Sequence, residues 1–471
     1  MTRILRPLPL PADATVLDLR DELLALVELP SSPAEPSSLV EPSSLVEPSS
    51  LVELVETTPS PVELASPPVE PPPLVELVET TSPVEPPPLV ELVETTSPPD
   101  EPQPLVELVE TTPAALPVPT ADPAHAKRLA DALAADTPID DAISLVISTS
   151  GTTGTPKGAQ HTPHTLAASA AATHKYLGGQ GNWLLALAPH HIAGLQVLLR
   201  ALAAGFTPGV LDVSSGFNPD AFADALDALD GPRRYTSLVP TQLLKVLDSP
   251  RATAALRAAD ALLVGGAATP APLLRRALDA GLPIVRTYGM SETGGGCVYD
   301  GIPLDGVTIT LINPNPEGVG RVALSGPMVA HGYRNLPDHP AFTLSPGART
   351  FITDDLGRVD DGVLSIIGRA DEAITTGGLT VVPQVVEAVI LDDDSVRECA
   401  VVGLPDDRLG EKVVAFVIPS DTSRFDAERI RGAVVERLDR YAAPRDIIEV
   451  DDLPLRGPGK IDRRALRARF S

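Results

Sequence analysis

Residues 143–158 read ISLVISTSGTTGTPKG: an apolar, β-branched run followed by a loop of serine, threonine and glycine that closes on a lysine. The run at 143–148 has the texture of a buried strand. The loop, STSGTTGTPKG at 148–158, can turn backbone N–H groups and hydroxyls toward phosphate oxygens, and Lys157 adds a positive charge. It is not a Walker loop, which needs Gly-Lys-Ser/Thr. Here Pro156 precedes the lysine and Gly158 follows it.

Outward from this loop, short apolar runs alternate with Ala/Leu-rich helical stretches. RYTSLVP (234–240) leads into TQLLKVLDS (241–249), and ALLVGG (261–266) precedes TPAPLLRRALDAG (269–281). That alternation predicts an α/β fold of layered sheets with helices. The last hundred or so residues, with RECAVVGLPD, KVVAFVIPS and DAERIRGAVVERLDR, fit a small α+β domain.

Between Pro30 and Pro119 the texture is different. EPSSLV units fill residues 35–52, and LVELVETT begins at Leu51, Leu74, Leu89 and Leu105. This stretch holds 23 of the chain's 52 prolines and no aromatic residue. Solenoid repeats need about 20 or more residues to form a packing unit, and these are shorter and irregularly spaced. Each Leu-Val pair is too small to offset the entropy of ordering its surroundings, and flanking prolines stop a strand or helical turn. Residues 31–119 are therefore expected to be a disordered, low-complexity acidic insertion outside the chemistry. An acidic tether or docking arm is the competing reading.

The formal charge of -27 follows from the same stretch. Sixteen acidic residues lie between Glu35 and Glu110, and no Lys or Arg occurs between Arg20 and Lys127. No basic stripe marks a nucleic-acid binder. Two cysteines, Cys297 and Cys399, cannot build a disulfide scaffold and fit a reducing compartment. The N-terminus, MTRILRPLPLPADATVLDLRDE, is broken by three prolines and makes a poor signal peptide. No apolar run is long enough to span a bilayer, so a cytoplasmic location is expected.

Further motifs follow the loop in order: YGMSET (288–293), TDDLGR (353–358), GRADEAITTGG (368–378) and PLRGPGKIDR (454–463). Tyr288 offers a flat face for a purine, and Glu292 offers a carboxylate suited to Mg²⁺, a hard cation. Asp355 can accept from two ribose hydroxyls. LLVGGAATP (262–270) reads as a strand ending in Gly265 and Gly266, where a base edge can approach the backbone.

With that order of motifs, the chain resembles the adenylate-forming enzymes, which include acyl-CoA synthetases, luciferases and peptide-synthetase adenylation domains. The resemblance covers about 320 residues. It implies ATP, Mg²⁺ and coenzyme A as cofactor and co-substrates, with a small-molecule carboxylic acid as the partner. Ser150, Gly151, Thr152, Thr153, Gly154, Thr155 and Lys157 would form the phosphate loop. Gly265, Gly266, Tyr288, Gly289, Ser291, Asp355 and Arg369 would complete the ATP site, with Glu292 on the metal. Lys460 would stabilise the α-phosphate under attack by the carboxylate. Asp371 would be the hinge of a mobile C-terminal domain, Gly377 and Gly378 part of the CoA passage, and His191 in PHHIAGL (189–195) would line the way between acyl pocket and thiol. His190 reads as incidental. The implied domains are 1–30, opening the large domain; 31–119, the insertion; 120–368, the AMP-binding large domain; and 369–471, the C-terminal domain. Two positions depart from the family pattern: Ser291 replaces a frequent Thr, and Asp354 replaces a frequent Gly.

Two features look like the short o-succinylbenzoate–CoA ligases of menaquinone biosynthesis. One is the sequence GGLTVVPQVVEAVI at 377–390; the other is the short stretch before the repeat. That implies an aromatic acid bearing a keto-carboxylate chain, for which His191, Ser291 and Thr293 are candidate polar partners. Other readings are a ligase for another aryl or fatty acid, a loader of carrier proteins, or a scaffold in which the acidic repeat acts beside a decayed ligase. Association of copies is left open.

Overall fold

The computed structural model describes residues 3–28, 112–149, 156–345, 347–420, 422, 424–457 and 460–470. The LVELVETT repeats, and the disorder expected of them, lie outside the described residues.

The first sheet has the order β3-β1-β2-β4-β5, from β1 (Arg3–Leu10), β2 (Ala114–Pro119), β3 (Pro138–Ile139), β4 (Leu145–Thr149) and β5 (Lys157–His161). β1 and β2 run parallel, with Leu5 beside Ala114 and Leu10 beside Pro119. The two ends of the repeat-bearing segment therefore return to adjacent strands of one sheet.

This corrects the expected insertion boundary. Residues 114–119, AALPVP, are a fully buried strand and belong to the large domain. Proline normally excludes a central strand because it lacks a ladder donor. Alternate residues of a strand, however, face opposite neighbours. The Leu5 N–H bonds Thr137, on the β3 side, so Pro7 and Pro9 face that side as well, beyond the reach of two-residue β3. The Ala115 N–H bonds Ser144, on the β4 side, which Pro117 and Pro119 share; the recorded β2–β4 pairing is Ala115 with Leu145. In both strands the missing donors point away from the ladder that β1 and β2 share.

The second sheet, β12-β11-β10-β9-β8-β6-β7, comprises β6 (Asn182–Leu185), β7 (Gly209–Val210), β8 (Arg234–Leu238), β9 (Ala261–Val264), β10 (Ile284–Met290), β11 (Gly295–Tyr299) and β12 (Ile302–Pro303). Strands β6 to β10 pair in parallel, and the last two are antiparallel. Four helices of the large part begin on proline, at Pro163, Pro219, Pro240 and Pro250. Proline is suited to that first turn, where its missing N–H would have had no partner. A third, antiparallel sheet holds β13 (Thr308–Ile312), β14 (Gly320–Ser325), β15 (Phe342–Ser345), β16 (Ala348–Asp360) and β17 (Val363–Arg369). One apolar core joins the three sheets through Leu10, Leu145, Trp183, Tyr235, Val298 and Val322.

From Arg369 a short turn, Ala370–Glu372, leads into a fourth sheet of β18 (Ile374–Thr376), β19 (Leu379–Val381), β20 (Val396–Asp406), β21 (Gly410–Pro419) and β22 (Asp446–Glu449). Helices Pro383–Leu391 and Ala427–Arg437 contribute to one of its cores, and helix Arg463–Phe470 to another. A hairpin of β23 (Leu455–Arg456) and β24 (Lys460–Ile461) precedes that last helix. The fold is thus mixed α/β, a large layered-sheet part followed by a small α+β part.

Each fully buried aliphatic side chain contributes about 1.5–3 kcal/mol, and domains are stable by only about 5–15 kcal/mol. Deleting 31–119 removes buried Leu116 and Val118 with the rest of β2. That variant should fail to give a soluble, cooperatively melting protein. Replacing only 31–110 with a Gly/Ser linker should leave the melting transition and the activity in place.

Candidate active site

A cavity of about 590 Å³ opens where the parallel strands of the second sheet end. Leu187 and Ala188 follow β6, Val239 follows β8, Gly265 and Gly266 follow β9, and Gly289 and Met290 close β10; all line it. Carboxyl ends of parallel strands are where α/β folds bind ligands, and the volume suits a molecule of nucleotide size.

Three other parts of the chain reach the same cavity. The β4–β5 hairpin contributes Ser148, Thr149 and Lys157 on either side of the Ser/Thr/Gly loop. Ser150, Gly151, Thr152, Thr153, Gly154 and Thr155 themselves lie outside the described residues. The third sheet contributes Asp354, Asp355 and Arg369, and the C-terminal hairpin contributes Gly457 and Lys460. Lys157 and Lys460 are thus brought to one space, about 300 residues apart in sequence.

Asp355 is held from two sides. Tyr288 donates its O–H to Oδ2 at 2.7 Å, and Arg369 donates from Nη1 to Oδ1 at 3.1 Å. Burial raises its pKa, and these partners oppose the rise. Tyr288 does not itself line the cavity, whereas Thr287 and Gly289 do. In place of the expected purine platform, the Tyr288 hydroxyl is engaged by Asp355, and the β10–β11 pairing shifts register between Tyr288 and Gly289. Asp354, whose extra charge departs from the family pattern, is met by Arg321 at 2.7 Å.

Glu292 sits in the turn Ser291–Thr293 after β10 and is buried. Its Oε1 accepts the Tyr333 O–H at 2.6 Å. Burial raises its pKa, opposed by that hydrogen bond and by the charges of Lys460 and Lys157. His161 donates from Nε2 to the Ser291 carbonyl at 2.7 Å, pinning the turn. Lys157 lies 5.0 Å from the Tyr333 ring centre and 3.2 Å from His339 Nε2. Gly289 is required by packing, since a Cβ there would collide with the Gly295 carbonyl oxygen.

His191 caps the helix Ile192–Ala203, next to Gly457. Burial, with the charges of His125 and Lys460, lowers its pKa to about 4. His190 lines the cavity too, its ring centre 4.3 Å from that of His191. Its pKa falls to about 3, from burial and then from His191. At neutral pH both are uncharged.

Sequence reasoning missed Tyr333, His125, Gln196 and Arg200, all of which line the cavity. Gln196 and Arg200 stand one turn apart on the helix that His191 opens, inside a run, QVLLRALAAG, that reads as an apolar-periodic helix. Thr293 is not available as a substrate partner, because its hydroxyl is buried on the Met290 and Gly295 backbone. Asp371 lies outside the cavity lining, held by two bonds from Arg369 at 2.8 and 2.9 Å. Gly377 and Gly378 also lie outside it. They form the two-residue turn of the β18–β19 hairpin, both with positive φ, as such turns demand.

Among the described residues, no three His, Cys, Asp or Glu side chains gather as a metal site. Mg²⁺ bound together with nucleotide phosphates needs only one or two carboxylates, and Glu292 fits that lesser demand.

The profile of the AMP-binding enzyme family matches residues 72–334, and that of its C-terminal domain matches 385–460. The chain belongs to the AMP-binding enzyme family. It is 51% identical over 359 residues to a probable 2-succinylbenzoate–CoA ligase of Mycobacterium tuberculosis, covering 75% of this chain and 92% of that one. A 2-succinylbenzoate–CoA ligase of Lactococcus lactis is 30% identical over 350 residues, covering 71% and 73%. Among solved structures, the o-succinylbenzoate CoA synthetase of Bacillus subtilis in complex with its acyl-adenylate intermediate is similar with a TM-score of 0.59. That pair is 26% identical and covers 75% of this chain and 74% of the other. As an AMP-binding enzyme with these relatives, the chain is an AMP-forming acid–CoA ligase.

The buried carboxylate of this AMP-binding enzyme has a testable cost. A pKa raised by folding means that ionised Glu292 destabilises the fold above its unfolded value, and that the penalty disappears as pH falls through the unfolded value. Glu292→Gln keeps an acceptor for Tyr333. It should therefore melt at higher temperature than wild type at pH 8, with a smaller difference at pH 5, while adenylate formation is lost. Calorimetry at the two pH values beside a pyrophosphate-release assay checks both.

Proposed function

We propose that this acid–CoA ligase acts on 2-succinylbenzoate: the acid and ATP give an acyl-adenylate and pyrophosphate, and CoA then gives 2-succinylbenzoyl-CoA and AMP. The observation that carries the choice of acid is Arg200. It is only 3% exposed, lines the cavity, and stacks on Trp183 at 5.3 Å. Its Nε has no hydrogen-bond partner, and no carboxylate among the described residues pairs with it. The Gln196 Oε1, one turn away, is likewise unpartnered. A guanidinium stays charged, and a buried unpaired charge is costly, so the site calls for an anion from the ligand. A dicarboxylic acid supplies one: one carboxylate is activated, and the other remains for Arg200. An aryl or fatty monoacid leaves that arginine unpaired.

For the first step we assign Lys157 and the loop before it to the phosphates, Asp355 to the ribose and Glu292 to Mg²⁺. Bound Mg²⁺ would neutralise phosphate charge. Lys460 is assigned to the α-phosphate, where charge builds as the carboxylate attacks. His191, which lines the cavity beside Gly457, is assigned to the path of the thiol. For the second step the C-terminal part would turn about Asp371, in the short turn between the third and fourth sheets, and bring Gly377 and Gly378 toward CoA. No helix among the described residues is long and apolar enough to cross a membrane, and we assign the enzyme to the cytoplasm.

Pyrophosphate release across a panel of acids, with ATP, Mg²⁺ and CoA, tests the substrate; a preference for monoacids would overturn it. Arg200→Met should raise KM for 2-succinylbenzoate about 10–100-fold, the size of a lost charged hydrogen bond, and leave a benzoate analogue lacking the second carboxylate unaffected. Lys460→Ala should slow adenylate formation about 10²–10³-fold and spare thioester formation from supplied acyl-adenylate. Equal loss in both half-reactions would remove Lys460 from the first step.

A further inference from the structure

Arg463 stands three residues beyond Lys460, at the start of the last helix, with its side chain only 12% exposed. It donates from Nε to Glu372 Oε2 at 2.8 Å, and from Nη1 and Nη2 to the two oxygens of Glu387 at 2.5 and 3.0 Å. Nη1 also donates to the Val401 carbonyl at 3.2 Å. Glu387 accepts the Val401 N–H at 2.6 Å, and Glu372 accepts from Gln384 Nε2 at 2.6 Å. One guanidinium thus gathers the helix Pro383–Leu391, the strand β20 and the turn Ala370–Glu372. Glu372 is the residue directly after Asp371.

We propose that Arg463 and Glu372 form a positioning tie that transmits the setting of the Asp371 turn to Lys460. The inference rests on the two-step ligase reading above. A turn at Asp371 places an ammonium group 89 residues later only if the intervening domain moves without slack. The backbone path runs through a whole sheet and two helices, whereas the Arg463 fork joins its two ends in one side chain. A planar fork reaches both carboxylates together, as a lysine cannot. Neither residue lines the cavity, so both act through Lys460.

Glu372→Gln removes the charge at the turn and leaves the Arg463–Glu387 pair to hold the fold. It should slow adenylate formation about 10-fold, as a misplaced group does, and leave conversion of supplied acyl-adenylate to thioester within about 2-fold of wild type. The same substitution in a Lys460→Ala background should slow adenylate formation no further, because the tie then has nothing to place. Arg463→Lys should repeat the pattern. Full additivity in the double variant would overturn the tie, as would equal loss in both half-reactions of Glu372→Gln, or no loss in either. A wild-type enzyme that forms no adenylate from any acid would instead overturn the ligase reading, and the tie with it.

Discussion

Charge inside a cavity is the constraint on which this architecture turns. Glu292 and Asp355 are both buried, and burial alone drives a carboxylate toward its neutral form. Each is kept in place by a tyrosine hydroxyl, from Tyr333 and Tyr288 respectively, and by cations that no single element supplies. Lys157 comes from the first sheet, Arg369 from the third, and Lys460 from the C-terminal hairpin. The sheets converge on one spot because the charges can be tolerated only together. Reciprocal opposition of this kind is also what a triphosphate requires, since it brings several negative charges of its own.

The same accounting distinguishes two parts of the cavity. Beside Lys157 and Lys460 three carboxylates are paired within the protein: Asp355 with Arg369, Asp354 with Arg321, and Asp371 with Arg369. Near the helix Ile192–Ala203 the accounting stops, with Arg200 and Gln196 each keeping an unpartnered polar atom. On the proposed reading, this unbalanced buried cation takes the second carboxylate of the acid.

Much of the fold and of the site was legible in the sequence because its signals are local. The run ISLVIS forms β4, and the alternation of apolar runs with helical stretches reports the second sheet. The ordered motifs place Lys157, Glu292, Asp355, Arg369 and Lys460 at the cavity. What escaped has physical reasons. Tyr333 acts through one hydroxyl on Glu292 across 41 residues, and its neighbours carry no spacing that announces this. Arg200 lies in the helical run QVLLRALAAG, whose apolar periodicity says nothing of the buried charge within it. AALPVP reads as a continuation of the proline-rich repeat because the meaning of its prolines depends on which neighbour each backbone group faces. Tyr288 was assigned a purine, but its hydroxyl is engaged by Asp355 and it is absent from the cavity lining.

Those prolines also decide how the first sheet can be assembled. β1 and β2 lie more than a hundred residues apart in sequence, and parallel pairing offers no hairpin to align them. A shift of one residue along either strand would rotate it by half a turn and present Pro7 and Pro9, or Pro117 and Pro119, to the partner. Two donors would then vanish from the shared ladder. The alternation Pro-Leu-Pro in one strand and Pro-Val-Pro in the other therefore works as a key against odd-numbered slips: only alignments of the native parity keep every contributing amide. Whatever length of chain is threaded between them, the two halves close with the same faces turned toward each other.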